Sequence, residues 1–275
     1  MGRTGSAVEV SGGRAAIPAG YNHLDGKVPV LYAPHLGARA RQVGEYLGEG
    51  YTALCGMLSV GPPEIAALLV ADEDWRQAPR DNAHPYPPGL PYFTRSVEPP
   101  VLVLPEALSP VFGPRTEATL PLTVWHELAH AFLLSREVVR TPAWLGEFVP
   151  QAAAAVIARS TGLSLDAHLS QIEGEPGFTV RSLRGPTGPE DQMSFQNLLL
   201  VLAEAALDAF GEALLPRLFY GLWEQDEIVD EERAGELLAD ALGPGGREWL
   251  ASRPEFQEDT LCETRSRYYC YPGTA

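Results

Sequence analysis

The chain has 275 residues, of which 45% are hydrophobic and 20% are charged, a composition typical of a globular protein and not of a disordered chain. Acidic residues outnumber basic ones by 36 to 20, which gives a formal net charge of −16 at pH 7. Because phosphate binding depends on clustered Lys and Arg, this charge argues against nucleic acids and anionic membranes as partners.

The chain shows no targeting or membrane-spanning segment by the usual criteria. The first twenty residues contain no apolar core long enough for a secretory signal. The most apolar stretch, residues 198–207, is interrupted by Glu204 and is too short to span a bilayer. Cys55 falls on an apolar helical pattern, whereas Cys262 and Cys270 are either free or close a small loop in an oxidising compartment. We therefore expect a soluble, cytoplasmic protein.

The first part of the chain has mixed secondary structure. Apolar residues recur every three or four positions from Val43 to Leu58, which predicts a helix that ends at the following Gly-Pro-Pro. Residues 65–71 and 101–104 are short apolar runs that predict buried strands. The proline-rich stretch between them, residues 76–100, is expected to be a loop with at most a brief extended piece.

Beyond residue 116 the patterns are helical. Thr141-Pro142 predicts a helix start, with Thr141 as N-cap and proline at the first helical position. Strands first and helices later predict an α+β protein, with an N-terminal lobe (1–135), a helical lobe (136–257) and a peripheral tail (258–275). The predicted helices cover residues 120–134, 141–160, 194–210, 211–223 and 231–242.

The most informative segment is a His-Glu-x-x-His motif, from His126 through Glu127 to His130, in an apolar helical run. Histidines four residues apart lie about 40° apart around a helix, so both imidazoles project from one face and can bind one cation. Glu127 and His130 are separated by about 60° around the helix axis. At this separation the Glu127 carboxylate can reach a metal-bound water without itself being a ligand. A zinc hydrolase requires this arrangement. Histidines that only form hydrogen bonds in a core are the alternative.

A catalytic zinc site also needs a third protein ligand and an open fourth position. Glu147 lies in a predicted helix with a run of small residues, Ala152 to Ala155. Because burying an unpaired carboxylate is costly, we expect Glu147 to be paired or metal-bound. An exposed glutamate that is favoured by the helix dipole is the alternative.

The segments HELAHAF and TPAWLGEF resemble the gluzincins, zinc metallopeptidases with two histidines and a downstream glutamate. The resemblance is clear over residues 120–160. It implies that His126, His130 and Glu147 bind one zinc ion and that Glu127 is the catalytic base. It also implies a zincin-like bilobal fold, in which a small mixed sheet and the active-site helix precede a mainly helical C-terminal lobe. In that fold an edge strand, here residues 101–104, holds the substrate backbone.

The chain also departs from the gluzincin pattern. Phe148 replaces the glycine common after the third ligand, and Pro150 is expected to kink its helix. Gln151 replaces an acidic residue that often orients the first histidine, although an amide oxygen can still accept an imidazole N–H. No residue clearly matches the tyrosine or histidine that stabilises the oxyanion in relatives. The candidates are Tyr86, Tyr92, His168 and Tyr220.

The sequence therefore predicts a zinc-dependent peptidase that acts on a peptide or protein substrate. The alternative is a binding or regulatory module that keeps a zincin-like scaffold and has lost turnover. A helical interaction protein without metal is a third hypothesis. The sequence does not indicate an oligomeric state or a cleavage preference.

Overall fold

The computed structural model describes residues 17–61, 63–80, 89–108, 116–136, 140–173, 189–256 and 268–269. Across these ranges the chain forms a mixed α+β fold with a small mixed sheet and several helices. The strands are β1 (Asn22–Leu24), β2 (Val30–Tyr32), β3 (Ala66–Val70), β4 (Tyr92–Thr94), β5 (Val101–Pro105), β6 (Thr141–Pro142) and β7 (Tyr268–Tyr269). The helices are α1 (Gly37–Leu58), α2 (Thr116–Leu133), α3 (Ala143–Thr161), α4 (Asp166–Glu173), α5 (Pro189–Phe210), α6 (Leu214–Trp223), α7 (Glu231–Leu242) and α8 (Gly246–Ala251).

The sheet has the strand order β1-β2-β3-β5-β4, with three parallel central strands and an antiparallel strand on each side. Side chains alternate between the two faces of each strand, which separates two apolar clusters. Leu69 and Leu102 belong to the main core shared with the helices. Leu68 and Val103 belong to a second cluster on the opposite face, around Trp75. The sheet is therefore buried on both faces, as its continuous apolar strands require.

The outermost strand beside α2 is not the one that the sequence predicts. The prediction of residues 101–104 as an edge strand is wrong, because β5 pairs with β3 on one side and with β4 on the other. The edge strand on this side of the sheet is β4, which is the brief extended piece in the proline-rich stretch, and β1 is the edge strand on the other side. Both β4 and β5 pack against α2. Phe93 of β4 pairs with Leu102 of β5, so the edge of the sheet is one strand beyond the predicted edge strand.

Helix α2, with the two histidines, and helix α3, with Glu147, form in the predicted regions of the chain. The start of α3 differs from the prediction. The prediction that Thr141 caps α3 is wrong, because the N-cap is Pro142 and Thr141 lies in strand β6. A residue before proline is restricted to extended conformations, and here Thr141 pairs with Tyr269 of β7. Its buried hydroxyl has no hydrogen-bond partner within the described ranges. α3 then continues through Pro150 as one helix.

The remaining helices agree with the sequence to different degrees. α7 has the predicted bounds, with Asp230 as N-cap accepting a hydrogen bond from the Arg233 backbone N–H at 2.8 Å. The prediction of a helix start at Gly211 is wrong, because Gly211 has a φ of +78° and follows the end of α5. α6 begins at Leu214 instead. The short helices α4 and α8 and strand β1 have no counterpart in the sequence prediction.

One main apolar core extends from Val28 to Leu250 and includes residues on both sides of position 135. Within α5, Met193–Phe210 is the one described segment that is long and apolar enough to cross a membrane, and 50% of it is buried. Core helices of soluble proteins pass the same test of length and composition, so this one segment is weak evidence for a membrane span. The cytoplasmic location stays a prediction. Cys262 and Cys270 lie outside the described residues, whereas Cys55 is a free thiol.

Candidate metal centre

His126 and His130 lie one turn apart on α2, which packs against α1 on one side and α3 on the other. The indole Nε1 of Trp125 donates a hydrogen bond to the Tyr46 carbonyl of α1 at 2.9 Å. α1 approaches so closely at Gly50 that an added Cβ would lie 2.7 Å from the Trp125 ring. This contact fixes the rotation of α2 about its own axis, and both imidazoles then face α3.

Glu147 lies in the second turn of α3 and is 2% exposed. The alanines from Ala152 to Ala155 are fully buried, which lets α3 pack closely against both α2 and α5. The alternative of an exposed glutamate at the helix start is therefore excluded. Phe148, which replaces the glycine of the gluzincin pattern, is 1% exposed and belongs to the main core.

The structure brings the three predicted ligands together. The Nε2 atoms of His126 and His130 are 3.1 Å apart, and Glu147 Oε2 lies 3.1 Å from the former and 3.6 Å from the latter. Tetrahedral zinc with bonds of about 2.0–2.1 Å keeps its ligand atoms about 3.3–3.4 Å apart. A point about 2.05 Å from all three atoms exists and lies about 0.8 Å from their plane, close to the tetrahedral geometry of zinc.

The residues therefore fit a divalent metal ion bound by two nitrogens and one oxygen. All three side chains are buried, and their ligand atoms form the one group of this kind within the described parts of the chain. Imidazole and carboxylate ligands suit zinc and several other first-row metals. The structure thus supports a metal site without selecting the metal.

The charges of the cluster stabilise one another in the metal-free protein. Burial opposes ionisation of Glu147, but the charge of His130 and hydrogen bonds with both imidazoles outweigh it and hold the pKa of the Glu147 carboxyl well below its ordinary value. Burial also lowers the pKa of the His130 imidazole, but the charge and hydrogen bond of Glu147 reverse this and raise it above its ordinary value. The carboxylate is therefore ionised and ready to bind a cation.

Glu127 lies beside this cluster and is 7% exposed. Burial raises the pKa of the Glu127 carboxyl, and the negative charge of Glu147 raises it further. The charges of His126 and His130 lower this pKa, but the net shift is upward. A carboxylate with a raised pKa is a stronger base than an ordinary surface glutamate. Glu127 thus has the direction of pKa shift that a general base needs.

Gln151, which replaces the acidic residue of the gluzincin pattern, forms its described hydrogen bond with α5 and not with the first histidine. The amide Nε2 of Gln151 instead donates a hydrogen bond to Gln196 Oε1 at 2.5 Å. The buried Nδ1 of His126 has no hydrogen-bond partner among the residues that the structure describes. Metal-bound histidines usually donate this second ring N–H to a neighbouring group, so this position departs from the common pattern.

Two of the four oxyanion candidates form hydrogen bonds with backbone carbonyls. Tyr92 donates its hydroxyl to the Pro79 carbonyl at 2.9 Å, and Tyr220 donates to the Leu58 carbonyl at the end of α1. His168 is partly buried on α4, and Tyr86 lies outside the described residues. The hydroxyls of Tyr92 and Tyr220 thus donate to the backbone in the structure.

The sequence prediction missed Gln196, a residue that contacts the cluster directly. Gln196 lies on α5, and its amide Nε2 donates a hydrogen bond to Glu147 Oε2 at 2.7 Å. The only signal in the sequence is a pair of amides, Gln196-Asn197, immediately before an apolar run. The pattern does not show which way such a pair faces, because that depends on how α5 packs against α3.

These observations define a mixed α+β protein with a buried His-His-Glu cluster that can hold a metal ion. In comparisons with known proteins, no family model matches the chain, and no curated protein sequence matches it. What the structure shows of the gluzincin resemblance is the cluster of His126, His130 and Glu147, which is compatible with a metal site.

Proposed function

We propose that the protein is a zinc-dependent peptidase in which His126, His130 and Glu147 hold one zinc ion and Glu127 is the general base. The observation that carries the proposal is the convergence of three buried ligand atoms on one point, within 3.1–3.6 Å of each other. A core that served only stability gains little from two imidazoles and a carboxylate directed at one another, because burying such groups is costly.

The residues have distinct roles in this proposal. Bound zinc supplies a Lewis acid that polarises the scissile carbonyl and lowers the pKa of water toward about 7. A carboxylate oxygen of Glu127 accepts the proton of the attacking water and later donates it to the nitrogen of the leaving amine. The raised pKa of Glu127 supports this role, because the same group must hold the proton between the two transfers.

A peptide or protein is the proposed substrate, bound along strand β4. β4 is one of the two edge strands of the described sheet, and it packs against the helix that carries the two histidines. An extended peptide can add to the edge of a sheet through backbone hydrogen bonds, which holds its scissile bond in a fixed direction. Strand β4 thus takes the place that the gluzincin resemblance gives to a substrate-binding edge.

The variant Glu127→Gln tests the mechanism. It keeps the size of the side chain and removes the base, so we expect zinc bound at one equivalent and peptide hydrolysis reduced by about 10²- to 10⁴-fold. The measurements are elemental analysis and digestion of a peptide library. Glu49→Gln, at an exposed position of α1, is the matched control and leaves both quantities unchanged. Full activity in Glu127→Gln would falsify the mechanism.

A binding or regulatory module without turnover is the second candidate. It is favoured by the engagement of Tyr92 and Tyr220 with backbone carbonyls and by the unpartnered Nδ1 of His126. Equimolar zinc with no cleavage of any library peptide is the result expected of this module. Zinc together with cleavage supports the peptidase, and protein purified without zinc supports a helical interaction protein.

A further inference from the structure

A chain of amide hydrogen bonds runs from α3 to α5 and back to the ligand cluster. Gln151 lies one helical turn beyond Glu147 on α3, and Gln196 of α5 bridges the two. Gln196 accepts a hydrogen bond from Gln151 at 2.5 Å and donates one to Glu147 Oε2 at 2.7 Å. Oε2 is the same oxygen that faces both histidine nitrogens.

The chemistry of the three groups fixes the direction of this chain. An ionised carboxylate only accepts hydrogen bonds, so Gln196 must present its NH₂ group to Glu147 and its carbonyl oxygen to Gln151. Gln151 then has to donate, as it does in the structure. A hydrogen bond to a charged oxygen is stronger than one between neutral groups, so the last link is the strongest one.

We propose that Gln196 is a positioning residue of the metal centre, which holds Glu147 Oε2 at the point where the two imidazoles meet. The inference rests on the proposed metal site and adds to it a residue that does not bind the ion. Gln196 uses one lone pair of Oε2 and directs the other toward the histidines. Gln151 in turn restrains the amide of Gln196, which limits rotation of the Glu147 carboxylate.

A second contact, separate from the amide hydrogen bonds, also joins α3 and α5. Arg159 of α3 forms ion pairs of 2.7 Å with Glu204 and with Asp208 of α5. This contact lies more than two helical turns from Glu147 along α3. It therefore offers a control, because its removal weakens the same helix pair without touching a ligand.

Zinc affinity of the full-length variants tests the proposal, measured by competition with a chromophoric chelator. Gln196→Met keeps an unbranched side chain of similar length and removes the donor. We expect about 10- to 100-fold weaker zinc binding, as is usual when a partner of a metal ligand is lost. Arg159→Met is expected to keep wild-type affinity and to lower the stability of the metal-free protein to urea.

A second readout separates positioning from a merely structural role. The visible absorption of the cobalt(II)-substituted protein reports ligand geometry, and we expect it to change in Gln196→Met and to stay unchanged in Arg159→Met. Gln151→Met removes only the outer link and is expected to weaken zinc binding less than Gln196→Met does. If Gln196→Met does not fold, Gln151→Met still tests the series of amide hydrogen bonds. Wild-type zinc affinity of Gln151→Met would then overturn the proposal.

The outcomes distinguish this inference from the proposed function. If wild-type protein binds zinc tightly and Gln196→Met binds it equally well with an unchanged cobalt spectrum, Gln196 is not a positioning residue and the metal site stands. If wild-type protein does not bind zinc, the proposed function fails and the inference fails with it.

Discussion

The two helices that carry the candidate metal ligands are held in place by different main contacts. α2, which carries the histidines, rests on α1 through apolar surfaces in close contact, where Gly50 lies against Trp125 and Leu128. α3, which carries Glu147, is held from the other side by the amide and ion-pair contacts of α5. The helix of the histidines is thus positioned chiefly by steric fit at Gly50, whereas the carboxylate itself accepts a hydrogen bond from α5.

This difference predicts that the two sides of the site respond to different perturbations. A change of volume disturbs the contact between α1 and α2, because close-packed interiors do not absorb an extra methyl group. A change of charge or protonation disturbs the cluster around Glu147. Three experiments test the two sides of the site separately.

Glu147→Ala is expected to have the largest effect. It removes a ligand and leaves two imidazoles alone, so zinc binding should weaken by more than about 100-fold, beyond the loss typical of a partner residue. Chelator competition measures this loss. Stoichiometric zinc retained in Glu147→Ala would exclude Glu147 from the ligands and would separate α3 from the site.

Gly50→Ala is expected to cost about 1–3 kcal/mol of unfolding free energy, because the new Cβ would lie 2.7 Å from Cδ1 of Trp125 and 3.0 Å from Cδ2 of Leu128. Gly56→Ala is the matched control on the same helix, since a Cβ there has no neighbour within 4 Å. The control should stabilise the protein by about 0.5–1 kcal/mol, because alanine is the better helix former. Urea unfolding measures both, and equal effects would contradict the close contact between α1 and α2.

The pH dependence of the metal-free protein is expected to show a smaller effect, confined to the other side of the site. The pKa of Glu147 is lowered from 4.5, so its stabilising contribution is present above about pH 4.5 and is lost as the pH falls toward the folded-state pKa. The pKa of His130 is raised from 6.5, so its contribution is present below about pH 6.5 and is lost as the pH rises through the folded-state pKa.

The difference in unfolding free energy between the wild type and Glu147→Gln should therefore be greatest between about pH 4.5 and 6.5. The cost of Gly50→Ala should be the same within this range and above it, because the contact involves no titrating group. A pH-independent Glu147→Gln difference would show that the cluster does not stabilise the metal-free fold.

The sequence predicted the elements whose signal is local. The periodicity of α2 and α3 placed His126, His130 and Glu147 on helices, and the spacing of the motif was sufficient to propose that they meet. β3 and β5 were predicted because each is a short apolar run between polar or proline-rich segments. In each of these cases neighbouring residues carry the information.

The features that were missed depend on contacts between distant parts of the chain. Thr141 has the composition of an N-cap, but its pairing with Tyr269 holds it in a strand. β4 became the edge strand on its side of the sheet through pairing with β5 across a proline-rich segment. Gln196 contacts Glu147 from 49 positions away. A single sequence gives no measure of such pairings, since each depends on how the helices and strands pack.

The core and the ligand cluster both join the two halves of the chain, with His126 and His130 before residue 135 and Glu147 after it. An ion bound there would be a noncovalent cross-link between these halves. A ligand that binds only the folded state stabilises it more as its concentration rises above Kd. The resistance of the fold to heat would therefore depend on the concentration of this ion. A shortage of the ion would then lower the amount of folded protein.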